Sequence, residues 1–254
     1  MVQNVAGSSP VFHPNFKNKE KTVNPSVSDR NALDVQANMF VAKTFGWMFL
    51  ALILTGVTSM MVMSSENAMN MLVTVNDEGK MESSSILFLF IVVELVAVFT
   101  LIFAIDKIPA VVGFTLFFMY AAMNGVTIAP LVFSYTAGSA TSAFFVCALI
   151  FGLMSVIGLT TKQDMTKLGP LFCVALMGLI GAMFVNLLIR NSMMDFIISG
   201  TAVVIFTGLI AYDAQKVKNM ASEDDKASIM GALALYLDFL NLFLHLLRLM
   251  GTKK

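Results

Sequence analysis

Three carboxylates of this 254-residue chain stand in apolar surroundings. Glu94 lies midway through VVELVAVF, Asp213 ends an apolar run in TGLIAYDAQKVK, and Asp238 falls within ALYLDFLNLFLHLLRLMG. No adjacent basic residue neutralises them inside those runs. Such groups can exchange protons or hold hard cations through oxygen. The chain has no His/Cys cluster suited to transition metals, so no metal is assigned beyond transient Ca²⁺ at Glu94, Asp213 and Asp238. Asp238 also belongs to a pattern. With Asn241, His245 and Arg248 it falls within about 80° of helix circumference, which makes one polar stripe on stretch 231–250. A carboxylate facing lipid costs about 3 kcal/mol or more, so the stripe must face protein or water, and this helix is expected to be enclosed by others.

The elements that position these residues follow from composition. Hydrophobic residues make up 57% of the chain and charged residues only 13%, against about 25% charged in soluble domains. Mean hydropathy is +0.82. The apolar residues gather into seven runs, 40–63, 86–105, 108–135, 142–160, 168–189, 196–212 and 229–250, each near or above the roughly 20 residues a spanning helix needs. The expectation is an all-α integral membrane protein with seven spans and no β-barrel. Residues 1–38 are polar, with Pro10, Pro14 and Pro25, and read as a disordered cytosolic tail in which His13 is solvated. The membrane domain is 39–254. No apolar run precedes Phe40, so the first is read as a span and not a cleaved leader. Pro130 in the third run must kink that helix or free a carbonyl. Cys147 and Cys173 read as small hydrophobes. Asn124 and Asn186 read as interhelical hydrogen-bond partners. His245 and Arg248 read as anchors of the last helix's outer end.

Orientation follows the basic residues. With seven spans, eleven Lys and Arg fall on the side of the N-terminus, including Lys107, Lys162, Lys167, Lys216, Lys218 and Lys226. Five fall opposite: Lys80, Arg190, Arg248, Lys253 and Lys254. The positive-inside rule puts the N-terminus in the cytosol and the C-terminus outside. A re-entrant last segment would instead return the terminal lysines to the cytosol. The connection 64–85 is read as a solvated loop made acidic by Glu66, Asp77, Glu78 and Glu82, and Glu223, Asp224 and Asp225 as a solvated cluster.

Asp213 and Asp238 gain meaning as a pair. Adjacent antiparallel spans joined by a short connection can bring the two carboxyls together near the cytosolic third of the bundle. Two carboxylates sharing a site cannot both ionise easily, so they titrate as one coupled unit that can bias a two-state helix packing.

The segment 206–251, with AYDAQKVK followed by ALYLDFLNLFLHLLRLMG, resembles the C-terminal signature of the Bax inhibitor-1 family. FVAKTFGWMFLALILTG at 40–56, NGVTIAP at 124–130 and TTKQDMTKLG at 160–169 are similar to bacterial members. The resemblance implies two three-helix layers around a central C-terminal helix. It also implies a calcium leak gated by pH through paired aspartates, matched here by Asp213 and Asp238, with Glu94 resembling the family's acidic residue on the second span. Some members latch the first aspartate with an arginine late in that span. Here 86–105 has no basic residue, and Lys107 is the nearest substitute, a point charge without the bidentate fork.

Two functions are weighed. The first is a pH-sensitive calcium leak channel lined by Glu94, Asp213 and Asp238, with Ca²⁺ as permeant ion and no cofactor. The second is a non-conducting regulator that binds a membrane protease or a stress or cell-death factor. An enzyme is not expected: an intramembrane aspartyl protease needs Gly-x-Gly-Asp, and Leu235-Tyr236-Leu237 precedes Asp238. A retinal protein would need a lysine in the last span. Membrane lipid, Ca²⁺ and other membrane proteins are the expected partners. A net charge of zero gives nucleic acid no hold. The expected location is the bacterial inner membrane.

Overall fold

The computed structural model describes residues 27–75, 81–220 and 224–254. Residues 1–26 of the expected tail, His13 among them, lie outside the described residues, as do Asp77, Glu78, Lys80 and Glu223. The first helix, α1, runs Val27–Met63, so it begins ahead of the first apolar run. Its polar first turns carry no hydropathy signal, which is why the apolar run alone began the span too late.

The connection after α1 is also more ordered than a plain loop. It holds a short helix α2, Glu66–Leu72, capped by Ser65, and a two-stranded antiparallel ribbon of β1, Val73–Val75, and β2, Met81–Ser83. Five further spans follow: α3 Ser85–Ala104, α4 Ala110–Phe133, α5 Ala137–Thr160, α6 Gly169–Ile189 and α7 Ser192–Asn219. The last is α8, Asp225–Met250. Several starts are fixed by a side-chain oxygen that takes an otherwise orphaned backbone N–H. Ser84 accepts from Leu87, Thr136 from Ser139, Asn191 from Met193 and Met194, and Asp224 from Lys226. Pro130 lies inside α4, which continues three residues beyond it.

Seven helices are long and apolar enough to cross a membrane. α1, α3 and α4 pack as one group, α5, α6 and α7 as another, and α8 touches α1, α4, α5 and α7 between them. In the apolar window of α8, 67% of residues are buried, against at most 33% in any other span. The enclosed last helix and the two three-helix layers are therefore as the stripe and the resemblance implied. The outer faces of α3 and α6 carry exposed Phe88, Val96, Phe103, Leu171, Val174 and Leu188, an apolar surface suited to acyl chains.

Small residues let helices meet. A side chain on Gly125 would put its Cβ 1.8 Å from Thr58 Oγ1 and 2.5 Å from the Thr55 carbonyl, so α4 crosses α1 there nearly backbone to backbone. At Gly158 a Cβ would come within 2.2 Å of the Ala211 carbonyl, which brings α5 equally close to α7 two residues before Asp213. Finally, α8 is continuous, and the residues after it pair with the turn between α4 and α5. The Thr136 N–H donates to the Thr252 carbonyl and the Lys254 N–H to the Ser134 carbonyl, each at 3.0 Å, flanking a bridge between Tyr135 and Lys253. α8 is thus one unbroken helix of 26 residues, unlike a re-entrant hairpin.

Candidate functional site

The end of α7 is built from the AYDAQKVK segment, and each side chain there has a separate task. Tyr212 packs its ring on Phe172 of α6, centroids 5.8 Å apart, over Gly169, where a Cβ would lie 2.8 Å from the tyrosine oxygen. Gln215 clamps the α5–α6 connection: its Oε1 accepts from the Met165 N–H at 2.7 Å, and its Nε2 donates to the Gln163 carbonyl at 2.8 Å. In that connection Asp164 accepts from the hydroxyl and N–H of Thr166. These bonds, with lesser help from Lys167, hold its carboxyl below the usual range. Lys218 donates to the Leu159 carbonyl at 2.8 Å. The helix end is thus pinned on both sides of Asp213.

Asp213 faces α8, where its carboxyl lies within interaction range of that of Asp238. Two ionised carboxylates cannot hydrogen-bond to each other, because neither has a donor; one shared proton lets them. Asp238 is 4% exposed, and among the described residues its buried Oδ2 takes no bond from any N–H or hydroxyl. Exposed Lys216, one turn along α7, is the cation that acts on Asp213. Asp238 lies at the midpoint of α8, because the helix begins at Asp225, four residues before the apolar run.

The rest of the stripe follows the same seam. His245 is buried, with Nδ1 3.3 Å from Ser199 Oγ of α7, and stacks on Phe206 of that helix. Asn241 turns back to its own helix and donates to the Leu237 carbonyl at 2.8 Å. Arg248 is exposed and lines a cavity of about 590 Å³ with Arg190, Lys253, Asp195 and Tyr135. Burial pushes the Tyr135 phenol up, against the pull of the Arg248 guanidinium. Arg190 has φ 57° and ψ 42°, making it the positive-φ non-glycine residue among those described. Glycine or asparagine normally ends a helix in this way, and a side chain there costs roughly 1 kcal/mol or more. Asn186 joins α6 to α7 as an interhelical partner should, donating to Asp195 and accepting from the Asn191 N–H at 3.0 Å.

Two sequence-derived candidates stand apart from the pair. Glu94 accepts from the Thr127 hydroxyl of α4 at 2.9 Å and has Tyr120 and Tyr236, not the aspartates, within electrostatic reach. Lys107 ends a short 3-10 turn, Ile105–Lys107, exposed and without an ion pair to Asp213. The lysine that acts on Asp213 is Lys216, so the suggested substitute for the latch is not assembled. Asn124 donates to the Tyr120 carbonyl of its own helix at 3.0 Å and bridges no neighbour by that bond.

Sequence reasoning missed a buried polar group centred on Tyr236. Tyr236 is fully buried, edge-on to Phe117 and Tyr120, with its hydroxyl 2.7 Å from Thr55 Oγ1 of α1. Thr55 also bonds the Ala51 and Ala121 carbonyls at 2.9 and 2.8 Å. Thr55 within the first apolar run and Tyr236 two residues before Asp238 were the available signals. Asp225 is also less free than a solvated cluster suggests, since it pairs with Lys43 of α1.

A seven-span bundle with acidic groups enclosed around a central helix is a membrane protein of a recognisable kind. The family model described as "Inhibitor of apoptosis-promoting Bax1" matches residues 37–254. The chain is 37% identical over 223 residues to the inner membrane protein YbhL of Escherichia coli strain K12, covering 85% of this chain and 92% of that one. It is 36% identical over 235 residues to a protein of Deinococcus radiodurans (90% and 96%), and 37% identical over 225 residues to one of Borreliella burgdorferi (85% and 93%). This chain belongs to the Bax inhibitor-1 family.

Proposed function

We propose that this protein is a pH-sensitive leak pathway for calcium or similar hard cations, with Asp213 and Asp238 as its proton sensor. The carboxyl-to-carboxyl approach carries the reading. With one shared proton, α7 and α8 are bridged. Without it, two negative charges face each other in a site of low dielectric and must separate or recruit a cation. Oxygen-only donors favour Ca²⁺ over softer metals. In the bridged state Asp238 is enclosed, so conduction requires α7 to part from α8 at this point. Glu94, bonded to Thr127 and not to the aspartates, serves a neighbouring stretch of the route and not the sensor itself.

The lysine asymmetry supports a cytosolic N-terminus, with Lys107, Lys162, Lys167, Lys216, Lys218 and Lys226 on the same face. The relative named as an inner membrane protein supports that membrane as the location. The test is Ca²⁺ flux into proteoliposomes between about pH 5.5 and 8; one shared proton permits up to about a tenfold change per pH unit. Asp213→Asn supplies a permanent donor to Asp238 and should flatten the profile. A wild-type profile as flat as the variant's removes the sensor. No flux at all, with a membrane protein that co-purifies, turns the assignment to the regulatory reading.

A further inference from the structure

The cavity at the far end of the α7–α8 seam has its own chemistry. Arg190, from the α6–α7 turn, Arg248, from the last turn of α8, and Lys253, from the strap beyond it, line one space of about 590 Å³. Asp195 is the carboxylate in its lining, and it is engaged by the Asn186 amide. Among the described residues, none of the three cations has a carboxylate within ion-pair distance. Three cations on elements far apart in sequence therefore converge with one carboxylate, already bonded, among them. Arg190 reaches the cavity from a left-handed backbone position that glycine would occupy without strain. A strained conformation retained at a cavity wall points to a task for that side chain.

We propose that this cavity binds the phosphodiester headgroup of an anionic phospholipid in the leaflet on the C-terminal side. Guanidinium forks suit phosphate oxygens, which accept several hydrogen bonds in fixed directions. The cavity is far larger than a bare phosphate ion and has room for the glycerol beside it. Its rim fits the tails: lining residues Leu187 and Phe196 are 68% and 63% exposed and continue the apolar outer surface of α6 and α7. The inference is independent of conduction.

The experiment titrates the detergent-purified full chain with phosphatidylglycerol, with phosphatidylcholine of the same chain length, and with inorganic phosphate, and reads thermal midpoint and bound lipid by native mass spectrometry. Phosphatidylglycerol should raise the midpoint and remain bound, while the other two have little effect. Arg248→Gln and Arg190→Gly should each weaken that binding about tenfold, the scale of one lost charge-assisted contact. Arg190→Gly also relieves the backbone, so its apo form should melt no lower than wild type, which separates lost binding from lost folding. Equal binding of the lipid by wild type and both variants overturns the site. A full midpoint shift from inorganic phosphate alone overturns the lipid assignment.

Discussion

The seam between α7 and α8 has two ends of opposite character. Toward the N-terminal face, the enclosed carboxyl of Asp238 meets the half-buried one of Asp213, on which Lys216 also acts. Toward the C-terminal face, two arginines and a lysine surround an open cavity. The same α8 stripe supplies Asp238 to one and Arg248 to the other. Burial decides what each charge can do. An enclosed acid must settle its charge locally, by proton or cation, whereas an open cluster of bases can wait for an anion from outside.

The comparison can be broken most severely by forcing α5 away from α7. Gly158→Val would drive a side chain into the Ala211 carbonyl beside the carboxyl pair, with an expected loss of about 3 kcal/mol, seen as a lower thermal midpoint. A variant as stable as wild type would mean that this crossing is not tight. Next, Asp238→Asn should match Asp213→Asn in flattening the pH profile of flux while leaving phosphatidylglycerol binding unchanged. Arg248→Gln should do the reverse, and parallel losses in both assays would merge the two ends into one site. Tyr236→Phe removes one hydroxyl whose partner Thr55 keeps two carbonyls, so it should cost about 1 kcal/mol in a melt. The smallest effect belongs to Lys43→Ala, which deletes a solvent-exposed ion pair with Asp225 worth at most about 1 kcal/mol, and less in high salt.

Much of this architecture was legible because lipid imposes a simple rule: long apolar runs span, and polar residues among them turn inward. That rule located seven helices and the enclosed side of α8 from Asp238, Asn241, His245 and Arg248 alone. It failed where helices leave the apolar layer. α7 continues seven residues past Tyr212 because Asp213, Lys216 and Lys218 end the hydropathy signal without ending the helix, and 27–38 is hidden in the same way. The cavity was illegible for another reason. Arg190 and Arg248 are 58 positions apart, and nothing in their local sequence reports that a hairpin and a helix end share one space. Lys107 and Lys216 mark the same limit: neighbours along a helix were visible, and proximity across the bundle was not.

The backbone strap after α8 has a practical consequence. Residues 252–254 are held by hydrogen bonds to 134–136, so an affinity tag or fluorescent reporter fused beyond Lys254 would hang from the very segment that anchors the central helix. Traction or bulk at that junction would be passed down the rod bearing Asp238.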